Sequence, residues 1–135
     1  MTITIDGGAG ITFPDAVQQT NALTNTGGSP LYYAARAWVN FKGTSPAAIR
    51  ASSNVASVTR NTTGTYTITF TTPMPDANYA VVGAARRGSA NSRGIAFEIS
   101  PNVDLTTASV QVRTISVDTN PAVEDCEDVY VVVFR

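Results

Sequence analysis

The sequence predicts an all-β chain: an antiparallel, jelly-roll-like β-sandwich of about seven or eight strands with a short N-terminal β appendage. Three observations carry this expectation. Thr, Val and Ile make up 42 of the 135 residues, and β-branched side chains fit pleated surfaces. Leu, the usual filler of helical cores, occurs three times, while Lys occurs once and Glu three times. From residue 31 onward, short apolar runs recur with Gly, Pro, Asn and Asp between them, the spacing of a sandwich or barrel. A chain of 135 residues is long enough to bury a core without metal or disulfide staples.

The first thirty residues differ from the rest. Positions 2–5 alternate polar and apolar, Asp6-Gly7-Gly8 turns, and positions 10–13 offer a second short strand before Pro14. Positions 15–21 fit one or two helical turns, with Asp15 as N-cap. The polar stretch 25–30 then reads as a flexible link. So few apolar side chains cannot form a core of their own, so residues 1–29 are expected to be an attachment or oligomerisation segment. Ile3, Ile5, Ile11 and Phe13 are its contact residues, and residues 30–135 form the sandwich.

In the main domain, Tyr33, Ala35, Ala37, Val39 and Phe41 share one apolar face, opposite Tyr32, Arg36, Trp38 and Asn40. Positions 54–60 read as a strand, Asn61-Thr62-Thr63-Gly64 as a hairpin loop, and Tyr66, Ile68 and Phe70 as the inward side of the next strand. The Asn61-Thr62-Thr63 glycosylation triplet is best explained by that hairpin, because positions 1–10 carry no secretory signal pattern. The run 79–85 is apolar enough to be buried on both faces. Ile95, Phe97 and Ile99 share a face opposite Glu98 and Ser100. Val110 and Val112 have opposite parity to Ile115 and Val117, which calls for a β-bulge near Arg113-Thr114 or for two short strands. The uninterrupted run 129–134 reads as a central strand, or as one covered by a partner chain.

Composition excludes several chemistries. There is no histidine, which removes Ser-His-Asp and Cys-His nucleophiles and most zinc sites. The lone Cys126 forms no intrachain disulfide and no cysteine cage. A net charge of -1 gives no general attraction to nucleic acid, and no run approaches the length needed to span a bilayer. Gly7, Gly8 and Gly10 lack the lysine of a phosphate loop. No cofactor, metal, nucleic acid or membrane insertion is expected, and no catalysis. Carboxylate pairs such as Asp76 with Glu98, or Asp104 with Asp118, arise in any chain with ten acids.

Three features remain as binding candidates. Glu124-Asp125-Cys126-Glu127-Asp128 could offer oxygen ligands to a cation, but it lacks a calcium-loop pattern and reads as a solvated turn. Arg86, Arg87, Asn91 and Arg93 lie on one loop that suits an acidic surface glycan, with solubility or a salt bridge to the acidic run as the plainer reading. Trp38 either belongs to the core or, with Tyr32, stacks on a sugar or fills a subunit interface.

Two stretches carry a resemblance. Positions 10–20, with Phe13-Pro14-Asp15 and Gln19-Thr20, resemble the "FPDGT-x-QT" segment of bacteriophage tail-fibre and appendage proteins. Here Asp15-Ala16-Val17 replaces the Asp-Gly-Thr form. Positions 35–41 (ARAWVNF), 48–52 (AIRAS), 66–70 (YTITF) and 74–79 (MPDANY) are similar to a module of putative tail-fibre proteins of marine and freshwater phages. The resemblance implies a virion structural protein, homotrimeric, without catalysis, bound to other virion proteins through its N-terminal segment. With Met1 so close to the first motif, a short fibre, a tip or a capsid appendage is expected rather than a long fibre. Capsid decoration and a carbohydrate-binding sandwich are the alternatives.

Overall fold

In the computed structural model of the chain, residues 4–6, 10–12, 18–19, 34–88 and 94–135 are described, the first three groups by backbone alone. The chain divides into two compact units, Met1–Ala34 and Ala35–Arg135.

The first unit holds three short antiparallel strands in the order β1-β2-β3: β1 (Thr4–Asp6), β2 (Gly10–Thr12) and β3 (Gln18–Gln19). Ile5 is the register partner of Ile11. The expected helical turn over 15–21 is corrected at its centre, where Gln18 and Gln19 pair with Thr12 and Ile11 as a strand. Ile3 and Phe13 lie outside the described residues.

The second unit is an antiparallel β-sandwich of eight strands, as the sequence predicts. One sheet has the order β6-β7-β10-β9, from β6 (Val55–Thr62), β7 (Thr65–Phe70), β10 (Ser109–Val117) and β9 (Gly94–Ile99). The other has the order β5-β4-β11-β8, from β5 (Ala48–Ser53), β4 (Ala35–Lys42), β11 (Asp128–Phe134) and β8 (Ala80–Arg86). Period-two alternation turns Ala37, Val39 and Phe41 of β4, Tyr66, Ile68 and Phe70 of β7, Val110 and Val112 of β10, and Val129, Val131 and Val133 of β11 into one core. Edge-to-face ring contacts join Phe41 to Tyr66 at 5.1 Å and Phe70 to Tyr79 at 5.8 Å. Tyr79 also donates its hydroxyl to the carbonyls of Thr106 (3.0 Å) and Ser109 (3.1 Å), so its polar end is satisfied inside.

Asn54 makes the corner at which the chain leaves β5 for β6 and changes sheet. Its φ of 56° is a left-handed conformation that Asn tolerates better than most residues. The side chain secures the corner on both sides. Its Nδ2 donates to the carbonyls of Arg36 (3.0 Å) and Thr72 (3.1 Å), and its Oδ1 accepts from the Thr72 amide at 2.7 Å.

Four local expectations are corrected. β5, which the pattern does not reveal, is an edge strand with nearly every position exposed. β8 is an edge strand too, half-buried on one face only, and Val82 is 59% exposed. Gly83 keeps its inward side bare for Phe97, whose ring atoms lie 2.5 Å from where a Cβ would stand. In β9, Ile95 and Phe97 pack on the core, but Ile99 is exposed and Ser100 is buried in its place. β10 is one strand without a register shift against either neighbour, so its inward side continues through Thr114 and Ser116, leaving Val117 outside. Those two polar residues are inward because residues 122–124 run beside them where the β7 pairing ends. Thr114 O accepts from the Glu124 amide (2.9 Å), Ser116 N donates to Ala122 O (2.9 Å), and the Thr114 hydroxyl donates to Glu124 O at 2.5 Å.

Candidate functional site

The acidic run is not the solvated turn its charge density implies. Cys126 at its centre is fully buried, and the Asp128 side chain is 7% exposed. Each of its four carboxylates takes an arginine from a distant part of the chain. Glu124 pairs with Arg87, Asp125 with Arg60, Glu127 with Arg50, and Asp128 with both Arg50 and Arg86. These arginines come from β5, β6, the end of β8 and the residue after it, so the run ties both sheets to the strand it introduces. Pairing with Arg50 and Arg86 is what makes burial of Asp128 tolerable, since an unpaired buried charge is strongly unfavourable, while the other three carboxylates are half-buried.

Asp125 is the centre of this clasp. Its Oδ1 accepts from the Gly64 amide at 2.8 Å and from the Tyr66 hydroxyl at 3.0 Å, while Arg60 Nε lies 2.9 Å from both carboxylate oxygens. Burial pulls the Asp125 pKa up, but hydrogen bonds from Arg60, Gly64 and Tyr66 outweigh it and hold the carboxyl below its ordinary range. The Arg60 guanidinium is pushed further up by its bond to Asp125. Burial raises the Tyr66 phenol well above its usual value. Gly64 has a φ of +64°, and a Cβ there would stand 2.4 Å from the Glu124 amide nitrogen, so the hairpin turn accepts only glycine.

Cys126 is held as a thiol. Burial raises its pKa, and its Sγ points to Glu124 O at 4.0 Å. Nothing here resembles a reactive thiolate. Among the described residues no group of three or more His, Cys, Asp or Glu is placed to hold a metal ion, and no helix is long and apolar enough to cross a membrane.

The arginine loop is only partly in view. Arg86 ends β8 and stays 65% exposed while it bonds Asp128, whereas Arg87 is 16% exposed against Glu124. Asn91 and Arg93 lie outside the described residues. Of the carboxylates considered for hydrolysis, Asp76 and Glu98 are each engaged by an arginine. Asp76 bonds Arg135 and accepts from the Asn78 amide, and Glu98 bonds Arg113 from the neighbouring strand. Beside Arg87 lies an open depression of about 660 Å³, lined by Ser116, Asp118, Asn120 and Glu124 among others. Its mixture of donors and acceptors can hydrogen-bond a hydroxyl-rich ligand.

Trp38 does not belong to the core. It stands 40% exposed on the outward face of β4, with Val132 of β11 as register partner. The signal that sequence reasoning missed is the reach of the clasp. Arg60 and Asp125 are 65 residues apart, and nothing in either local pattern points to the other. Comparisons with protein-family models, with curated proteins and with solved structures gave no match to the chain.

Proposed function

We propose that this chain is a structural subunit of a bacteriophage virion, a short tail-fibre or tail-tip protein that assembles as a homotrimer and contacts the host cell surface. One observation carries the reading: two of the stretches that carry the resemblance, ARAWVNF and MPDANY, belong to the scaffold of the sandwich. ARAWVNF is the body of β4, whose Ala37, Val39 and Phe41 form part of the core. MPDANY is the connection into β8, fastened by buried Met74 and Tyr79 and by the Asp76–Arg135 ion pair. A likeness that reaches the scaffold is a likeness of the whole sandwich module, and the virion role is carried over from the resemblance by fold-level analogy. The acids of the clasp, each committed to an arginine, support binding and assembly over turnover.

In this reading residues 1–34, with Ile5 paired to Ile11, attach the subunit to other virion proteins. The depression beside Arg87 favours a second reading, a sandwich that adheres to host surface polysaccharide. The test is the copy number of the chain in purified phage particles, by quantitative mass spectrometry against the major coat protein. A small multiple of three supports the tail-fibre role. A count near that of the coat protein supports capsid decoration in its place, and absence from the particle overturns both.

A further inference from the structure

Most of the described cations are committed to acids. Arg50, Arg60, Arg86, Arg87, Arg113 and Arg135 each meet a carboxylate. Among the described residues, Arg36 and Lys42 are the two basic side chains without such a partner, and both belong to β4. They stand at the two ends of one stripe, Arg36, Trp38, Asn40 and Lys42, which alternates with buried Ala37, Val39 and Phe41. On β11, Tyr130 lies opposite Asn40 and therefore diagonal to Trp38. Trp38 and Tyr130 are 40% and 42% exposed. Two aromatic rings thus stand between two cations. The charge of the whole sheet leans the same way. Its four strands carry Arg36, Lys42, Arg50 and Arg86 against Asp128, with Glu127 beside it, in a chain whose net charge is -1.

Arg36 and Lys42 are half-buried, where solvent screens a charge less than in open water. A counter-charge is worth more to them than to a fully exposed side chain. What the described chain does not supply defines a ligand: acidic groups for the two cations, and a flat apolar face for Trp38 and Tyr130. Sugar rings that carry carboxylates offer both. Charge spacing separates them from nucleic acid. At ~3.3 Å per residue the two cations stand about 20 Å apart along β4. A nucleic-acid strand presents a phosphate about every 3.4 Å and is held by many cations at once. Two distant cations suit a polymer whose acidic groups are set apart by neutral rings. We propose that the Arg36–Trp38–Asn40–Lys42 stripe, with Tyr130, binds an acidic glycan in which uronic acids are separated by neutral sugars.

This deepens the host-contact reading and rests on it for the expectation of a surface glycan. Its test needs no phage, so the two fail separately. Trp38 is the chain's only tryptophan and reports the stripe directly. Its emission in the full chain is titrated with oligosaccharides of hyaluronan, in which an acidic sugar alternates with a neutral one. Dextran oligosaccharides and a poly-thymidine strand are run beside them. A saturable change is expected with hyaluronan, weakened by added salt, and none with the other two. R36Q and K42Q are each expected to weaken binding by roughly tenfold, with circular dichroism unchanged. R113Q makes the same change in net charge on the other sheet and is expected to bind like the parent. No response to hyaluronan, an equal response to poly-thymidine, or parental binding by both R36Q and K42Q would overturn the assignment. So would Trp38 emission that acrylamide fails to quench in the ligand-free chain, because the stripe would then be covered.

Discussion

Arg60 and Asp125, on a strand of one sheet and in the segment leading to the central strand of the other, form a two-oxygen ion pair with 2.9 Å from Nε to each carboxylate oxygen. Because Asp125 also receives Gly64 N and Tyr66 OH, one carboxylate fixes a hairpin turn, a core tyrosine and the approach to β11. Asp125→Asn keeps the shape but turns a donor towards Arg60. It is expected to destabilise the fold by about 1–3 kcal/mol, read from the midpoint of urea unfolding at constant m.

The same pair sets an acid limb. The folded-state pKa of Asp125 is depressed, so its contribution is fully present above the ordinary carboxyl value of about 3.9 and is lost as pH falls through the folded value. Asp76, lowered chiefly by its bond to Arg135, adds in the same direction. Stability is therefore expected to decline from about pH 5 downwards. Unfolding curves of D125N over that range should show a shallower decline than the parent. An equal slope would remove Asp125 from the acid response.

Asn54→Ala and Asn54→Gly separate the two functions of the corner. Glycine keeps the left-handed backbone at little cost but loses the three side-chain hydrogen bonds. Alanine loses both and is expected to be less stable than N54G by about 1 kcal/mol. Thermal unfolding of the two variants measures the difference.

Cys126 provides a probe of opening. As a buried thiol with a raised pKa, it is expected to resist a thiol reagent in the native state and to react fully once the chain is unfolded. D125N should speed the native-state reaction if the clasp holds this segment closed.

β4, β7 and the first half of β10 were legible in the sequence because each buries an apolar side chain at every second position, and β11 because its apolar run is unbroken; β6, β8 and β9 were legible as shorter apolar stretches between turn residues. β5 was not, because an exposed edge strand of Ala, Arg and Ser carries no such alternation. Thr114 and Ser116 broke the pattern of β10 by being polar and inward, which only their hydrogen bonds to residues 122–124 explain. The acidic run misled in the opposite sense. Its own pattern reads as a solvated turn, with a salt bridge to the Arg86–Arg87 loop as the one partner in view; that bridge forms, but Arg50 and Arg60, 65 to 78 residues away in the sequence, are not in view. Short-range pattern reports which face is buried, and it is silent on ion pairs closed by topology.

The central claim is a virion subunit that meets the host surface, and competition for adsorption tests it most directly. Host cells are preincubated with increasing amounts of the purified, folded full chain, then challenged with phage whose particles contain it. Adsorption is expected to fall saturably as the chain occupies the receptor. Unchanged adsorption at concentrations where the chain is folded and assembled would contradict the host-contact account and leave a role within the particle alone.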